Sequence, residues 1–357
     1  MNIAIIGAGA SALFLQALLK NKYDITIFER NKKIASKLLA SGNGRCNLLN
    51  INASSNDYNN KGFMDKVFSK VNTMDILKIF NKLGLTTTID EEGRVYPISL
   101  SSETVLNILT DKMNAKVELN YIVKSIKKVG DKYQINDYKT LFDYCVLASG
   151  SSAAIIEEKQ NLCYDYLKSF NLSPKSINPS LVGFKIKNSL KGLFGVRCKA
   201  LCKLYVDNML IHEERGEVIF KEDGISGIVI MNMSSYYNRT NKNRSYITLD
   251  ILEGINPNNL KGALNPKMYL YVIENRIDIH SFRLDIVDTY GIKDSQVING
   301  GIDVSNISDT FRLNNDKNIF LMGEMLDIDG ICGGYNLSFA FMSAYIVGSE
   351  LGYENKD

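Results

Sequence analysis

Ile3-Ala4-Ile5-Ile6-Gly7-Ala8-Gly9-Ala10-Ser11-Ala12-Leu13-Phe14 sets a continuous apolar run against a G-x-G-x-x-A turn. A run with no polar alternation is what a parallel strand buried on both faces requires. After the turn, Leu13, Phe14, Ala17, Leu18 and Leu19 recur at helical spacing. Gly7 permits the tight turn, Gly9 lets backbone approach a pyrophosphate, and Ala12 is small enough for close helix–strand packing. The helix start, Ala10 and Ser11, then offers free N–H groups and a partial positive charge to phosphate. Asp24-Ile25-Thr26-Ile27-Phe28-Glu29 reads as a second strand ending in an acid, 22 residues beyond Gly7. That is close to the ~20 expected of a carboxylate that binds a ribose diol. Glycine alone marks any strand-to-helix turn, but strand, turn, helix, strand and acid in this order predict a dinucleotide site. The fingerprint does not separate NAD from FAD.

The 357 residues predict about two domains. At 45% hydrophobic and 23% charged the chain falls outside the disordered class. Lys+Arg 42 against Asp+Glu 39, dispersed along the chain, argues against a nucleic-acid arm or an anionic-membrane patch. Met1-Asn2 leads directly into the first strand, so no secretory leader is expected. The best apolar run, Phe339 to Val347, is about half the ~20 residues of a membrane helix. Six cysteines (46, 145, 163, 198, 202, 332) form no CxxC or zinc pattern, which fits reduced thiols and a cytoplasmic protein. Cys198 and Cys202 read as one face of a strand.

Further blocks carry a family likeness. Lys37-Leu38-Leu39-Ala40-Ser41-Gly42-Asn43-Gly44-Arg45-Cys46-Asn47 comes first, followed by Glu92-Gly93-Arg94-Val95-Tyr96-Pro97. Gly216 to Phe220, Gly224 to Gly227 and Asn299 to Ile302 follow, and Gly323-Glu324-Met325-Leu326-Asp327-Ile328-Asp329-Gly330-Ile331-Cys332-Gly333-Gly334-Tyr335-Asn336-Leu337 closes the series. In content and order these blocks resemble the BaiN-like (YhiN-like) FAD-dependent oxidoreductases, the bile-acid dehydro-reductase-like flavoproteins. The resemblance implies an α/β architecture. A Rossmann-like FAD-binding domain is built from both chain ends, 1–178 and 299–357, around an inserted β-rich domain, 179–298. A short helical lid is expected at about 254–280. The residues agree with this: Asp143 to Gly150 and Asn318 to Glu324 read as buried strands, whereas Cys198 to Val206 alternates and meets a hairpin turn at Asp207-Asn208. Tyr121 to Val129, Lys132 to Ile135 and Lys139 to Val146 read as a meander. Met64 to Leu83 reads as one core-facing helix, and a last helix is expected from about Asn336 to Leu351.

The resemblance implies non-covalent FAD held by Gly7, Gly9, Ala10, Ser11, Ala12, Glu29, Arg30, Lys37, Ser41, Gly42, Gly44, Arg45, Cys46 and Asn47. To these it adds Val123 by the adenine, Ala148, Ser149, Gly150, Gly323, Glu324 at the ribityl or pyrophosphate end, Gly333, Gly334, Tyr335, Asn336 and Leu337. It points the N-terminus of the last helix at the flavin pyrimidine, where a partial positive charge stabilises the reduced cofactor. Tyr335 as proton donor or stacking ring, and Arg45, are the catalytic candidates; the plain alternative for Arg45 is a loop arginine paired with a carboxylate. Cys46 and Cys332 suggest a thiol relay, against the ordinary reading of small buried thiols. His212 and His280 read as structural, and no metal site is expected.

The chain also departs from the family. Ala148-Ser149-Gly150-Ser151 stands for A-T-G-G, elements between Ser152 and Tyr164 are missing, and Lys221-Glu222 replaces a threonine–histidine pair. With no second G-x-G-x-x-G, NAD(P)H is expected as a diffusible donor rather than on a domain of its own. The expected activity passes a hydride through flavin N5 to a small organic acceptor, such as an activated C=C bond. The alternatives are an FAD-dependent RNA-modifying protein and a non-catalytic flavin-binding regulator. No nucleic acid or membrane partner is expected, and nothing in the sequence sets the oligomeric state.

Overall fold

A computed structural model describes residues 1–19, 22–111, 113–154 and 164–354. Cys163 and most of the stretch where family elements are missing lie outside the described residues. The described residues divide into two compact units. One contains 1–152, 164–177 and 300–354, and the other contains 153–154 and 178–299.

From the N-terminus run β1 (Asn2–Ile6), α1 (Ala10–Leu19), β2 (Asp24–Phe28) and α2 (Ser36–Ala40). Next come β3 (Leu49–Asn50), α3 (Lys61–Phe68), α4 (Thr73–Lys82), β4 (Thr87–Ile89) and β5 (Arg94–Pro97). They are followed by α5 (Ser102–Thr110), β6 (Lys116–Glu118), β7 (Ile126–Val129), β8 (Lys132–Ile135) and β9 (Tyr144–Leu147). The chain crosses to the second unit in β10 (Lys175–Ser180) and returns in β17 (Val297–Gly301). Between them lie β11 (Phe184–Ile186), β12 (Arg197–Val206), β13 (Met209–Phe220) and β14 (Gly224–Ser226). They lead into α6 (Ile228–Tyr237), β15 (Tyr246–Asp250), α7 (Pro266–Asn275) and β16 (Phe282–Thr289). After the return come β18 (Arg312–Leu313), β19 (Asp316–Leu321) and α8 (Tyr335–Glu350).

The main sheet of the first unit has the order β18-β19-β9-β1-β2-β6. All its pairings are parallel except the edge pair β18–β19. This is a Rossmann-like sheet, and β19 brings the C-terminal segment into it beside β9. Ile3, Ala4 and Ile5 are fully buried, as the unbroken apolar run required. Burying each isoleucine is worth roughly 2 kcal/mol. Helix α8 packs on α1 where side chains are smallest: a Cβ on Gly348 would lie 3.2 Å from Leu18 Cδ1. Phe14 bridges the packed helices to α4, its ring centroid 5.0 Å from Phe80 and 5.2 Å from Phe341.

Three expectations need correction. The Met64–Leu83 stretch is two helices, α3 and α4, because Asn72 and Asp75 form a reciprocal capping box that restarts the helix at Thr73. Tyr121 to Lys124 is not part of a strand, because the Asn136 side chain accepts the Lys124 and Ser125 N–H groups at 2.8 and 3.1 Å, so the ladder begins at Ile126. Lys139 to Asp143 is also outside β9 and meets the β8 backbone through the isolated Tyr133–Phe142 bridge.

The second unit is a closed antiparallel barrel, β11-β14-β13-β12-β15-β16. Cys198, Ala200, Cys202, Leu204 and Val206 share the inward face of β12. Asp207 and Asn208 both adopt positive φ, 49° and 64°, as a two-residue hairpin turn requires. Helix α6 was not foreseen. Its Ile228 to Met233 is nearly all apolar and reads equally well as a buried strand, but Gly227, at φ 114°, turns the chain back over β13. Among the described residues no helix is long and apolar enough to cross a membrane.

Asp143 ties the start of β1 to β9. Its Oδ2 accepts from Asn2 N at 2.7 Å and its Oδ1 lies 3.0 Å from Lys132 Nζ. The Asn2 N–H and Lys132 hold its pKa below the usual carboxylate value. A depressed pKa contributes stability above the unfolded value and loses it as pH falls through the folded one. Asp143→Ala should therefore cost about 2 kcal/mol in urea unfolding at pH 7, with the gap from wild type closing below about pH 4.

Candidate cofactor site

The glycines of the first turn do different work. Gly7 has φ +103°, and a Cβ there would lie 2.4 Å from Ala148 O, so the ends of β1 and β9 can meet only at glycine. Among the described residues nothing lies within 4 Å of a Cβ position on Gly9, a surface its backbone can offer to a ligand. Ala12 is fully buried beneath, and the first turn of α1, from Ala10 through Ser11, carries no acidic residue. Its leading N–H groups have no acceptor within the helix.

Glu29 is nearly buried over this turn. Its Oε2 accepts from Ala8 N and its Oε1 from Asn31 N, both at 2.8 Å. Each carboxylate oxygen retains acceptor capacity for a hydroxyl. Arg30 follows at the strand end, and Val123 is buried. The loop after β19 closes in from the other side: a Cβ on Gly323 would lie 2.8 Å from Ser11 Oγ. Lys37 Nζ donates to Ser151 O and Oγ at 3.0 Å and to Glu324 Oε2 at 3.2 Å. Among the described residues Glu324 Oε1 is buried with no hydrogen-bond partner, an acceptor with capacity for a donor. Ser149 accepts from Tyr166 at 2.9 Å, and among the described residues nothing lies within 4 Å of a Cβ position on Gly150, at φ 72°. The carboxyl ends of β1, β9 and β19 thus converge on one crevice, where open α/β sheets bind ligands.

A second cluster surrounds the start of α8. Gly42, Asn43, Gly44 and Cys46 are all left-handed, with φ of 57°, 55°, 82° and 57°. Ser41 O anchors this loop by accepting from Cys46 N at 3.0 Å. Cys46 is fully buried, and burial pushes its thiol up to about 11, so it is a neutral thiol near pH 7. Neither Cys46 nor Cys332 is in a disulfide. With its amide turned to satisfy both ends, Asn47 donates to Leu49 O and accepts from Gly334 N, each at 3.2 Å. Gly334, at φ +99°, could bear no side chain: a Cβ would lie 2.7 Å from Leu49 O. Tyr335 is half-buried with its ring edge-on to Tyr58 at 6.3 Å, and its carbonyl accepts from Tyr58 Oη at 2.8 Å. Asn336 spends its amide on its own loop, accepting from Gly330 N and donating to Gly330 O. Leu337 is half-buried beside it, and Arg45 is exposed near Tyr96.

Asn50, Arg94, Tyr96 and Tyr58 belong to this cluster without having been singled out beforehand. Only the Glu92–Pro97 likeness pointed toward two of them, and it carried no role. His212 stacks on Tyr236 at 4.0 Å and meets Glu214 at 3.2 Å, while His280 meets Asp250 at 2.9 Å; both are in the second unit. Among the described residues no cluster of His, Cys, Asp and Glu could hold a metal.

Residues 1–350 match the HI0933-like protein Rossmann domain family. The chain belongs to that family. It is a flavin-dependent oxidoreductase by this membership. It is 26% identical to the 3-dehydro-bile acid delta(4,6)-reductase of Clostridium scindens, over 97% of this chain and 98% of the relative. It is also 26% identical to a ribosomal RNA dihydrouridine synthase of Haemophilus influenzae, over 96% of each. The fold is similar to that of a 3-ketosteroid-delta4-(5alpha)-dehydrogenase from Rhodococcus jostii, with TM-score 0.56 and 10% identity over 97% of this chain and 95% of that one. Among the described residues, the open Gly9 surface, Glu324 Oε1 with no partner and the acid over the turn fit the FAD of an HI0933-like flavoprotein.

The two turn glycines make a sharp contrast. Gly7→Ala should destabilise the fold by about 3 kcal/mol or more, through strain and a backbone clash. Gly9→Val should melt within a few degrees of wild type yet lose most FAD affinity. Thermal melts alongside fluorescence titration with FAD check both.

Proposed function

We propose that this flavoprotein takes a hydride from diffusible NAD(P)H and delivers it to a carbon–carbon double bond activated by a carbonyl group. One observation carries the choice of acceptor. The full-length relatives are named a delta(4,6)-reductase and a dihydrouridine synthase, and both names describe saturation of a C=C bond. Bound FAD would supply the hydride-carrying centre. The chain supplies the rest: Gly9 and the start of α1 take the pyrophosphate, Glu29 takes a ribose diol, and Glu324 Oε1 takes a hydroxyl. The N-terminus of α8 lends positive potential to the flavin end of the site. Saturating a C=C bond also needs a proton at the second carbon, and Tyr335 is the donor we assign. The Tyr58 bond to its carbonyl holds its backbone in place. Arg45, exposed beside Tyr96, meets the incoming substrate.

A second reading keeps the chemistry and changes the acceptor. Two relatives named ribosomal RNA dihydrouridine synthase, 26% and 23% identical over nearly the whole chain, favour a uracil base within RNA. The dispersed lysines favour a small molecule. Anaerobic titration decides the first step: NADH or NADPH should bleach the flavin promptly, and a flavin that stays oxidised sinks the donor assignment. Reoxidation by a small enone, compared with unmodified ribosomal RNA, then separates the acceptors. Tyr335→Phe should slow reoxidation by the acceptor about 10²-fold or more while flavin bleaching keeps its wild-type rate.

A further inference from the structure

We infer that Asn50 is a positioning residue that locks the Gly333–Gly334 peptide in one orientation and thereby sets the redox potential of the flavin. The inference rests on the FAD reading above. The plane of this peptide is gripped at both ends: Asn50 Nδ2 donates to Gly333 O at 3.0 Å, and the Asn47 side chain accepts from Gly334 N at 3.2 Å. Both glycines have positive φ, 126° and 99°. Glycine crosses that region freely, so the backbone alone does not choose between this orientation and its flipped alternative.

Asn50 is built to make the choice. It is 2% exposed, and every polar group of its side chain is committed. Besides Gly333 O, Nδ2 reaches Glu92 O at 3.4 Å, and Oδ1 accepts from Asn52 N at 2.9 Å. Its backbone N–H meets Ser338 Oγ at 3.3 Å, and Ser338 Oγ in turn donates to Gly334 O at 2.9 Å. Asn50 therefore joins the β5 hairpin, the glycine turn and the first turn of α8. Its amide nitrogen faces two carbonyls and its oxygen faces an N–H, an arrangement that only the amide satisfies.

Asn50→Asp keeps the shape and replaces the donor with an acceptor against Gly333 O. The carboxylate repels that carbonyl and adds negative charge at the start of α8, so reduction becomes less favourable. At a fixed poise the ratio of reduced to oxidised flavin should fall about tenfold, which is about 30 mV for a two-electron couple. Asn50→Ala should move the potential in the same direction by less. In the FAD-free protein, Asn50→Ala should speed amide exchange at Gly334 at least tenfold. Asn52→Ala removes only the side-chain bond to Glu92 O and should leave both readings unchanged. If Asn50→Asp fails to fold, the alanine variant carries both readings. Folded Asn50 variants with wild-type potential and wild-type exchange at Gly334 overturn the inference and leave the FAD reading standing. A wild-type protein that takes up no FAD overturns that reading, and exchange at Gly334 then decides the peptide lock separately.

Discussion

The first unit depends on how closely two strand ends can approach. β1 and β9 run parallel through the middle of the sheet and end side by side, with Gly7 against the carbonyl of Ala148. No side chain fits between them. Because they meet, the start of α1, the small residues after β9 and the loop after β19 converge on one crevice, with Gly9 left open above it. Its acid, Glu29, is placed over the turn by the β1–β2 pairing and held by Ala8 N.

The second constraint is a set of amides. Asn47, Asn50 and Asn336 each use a side-chain amide to satisfy backbone groups of Gly330, Gly333 or Gly334. A glycine-rich segment has many accessible conformations and no side chains to select among them. Here side-chain amides make the selection, Asn47 and Asn50 from outside the turn and Asn336 from the helix that follows it. This is why a loop with left-handed residues at Gly42, Asn43, Gly44 and Cys46 sits directly before the asparagines that reach the turn. The strain lies where the chain must bend sharply enough to present them.

Burial separates three of the cysteines from the chemistry. Cys46, Cys145 and Cys202 are buried, and burial raises all three thiols, which keeps them neutral and poorly nucleophilic. The mechanism we propose instead rests on the backbone of two glycine turns, on carboxylates with acceptor capacity to spare and on Tyr335. The barrel contributes a separately packed core, closed on itself so that it leaves no strand edge unpaired.

Local order carried much of this into the sequence. The run Ile3–Ile6, the turn at Gly7 and Gly9 and the acid at Glu29 announced a dinucleotide fold, because each requirement there is met within about 30 residues. The Asp207–Asn208 hairpin and the start and end of α8 were legible for the same reason. Local order failed where a distant or competing partner decided. The capping box at Asn72 split an apparently continuous helix, the Asn136 side chain took N–H groups that a strand would have used, and Gly227 turned an apolar stretch into α6. The cofactor fingerprint was thus determined by the sequence alone, since its parts are neighbours in the chain. That Lys37 reaches Glu324, and that Asn50 grips Gly333, was decided only by the tertiary structure. Such pairs lie hundreds of residues apart, and nothing local distinguishes their side chains from solvated ones until the fold brings them together.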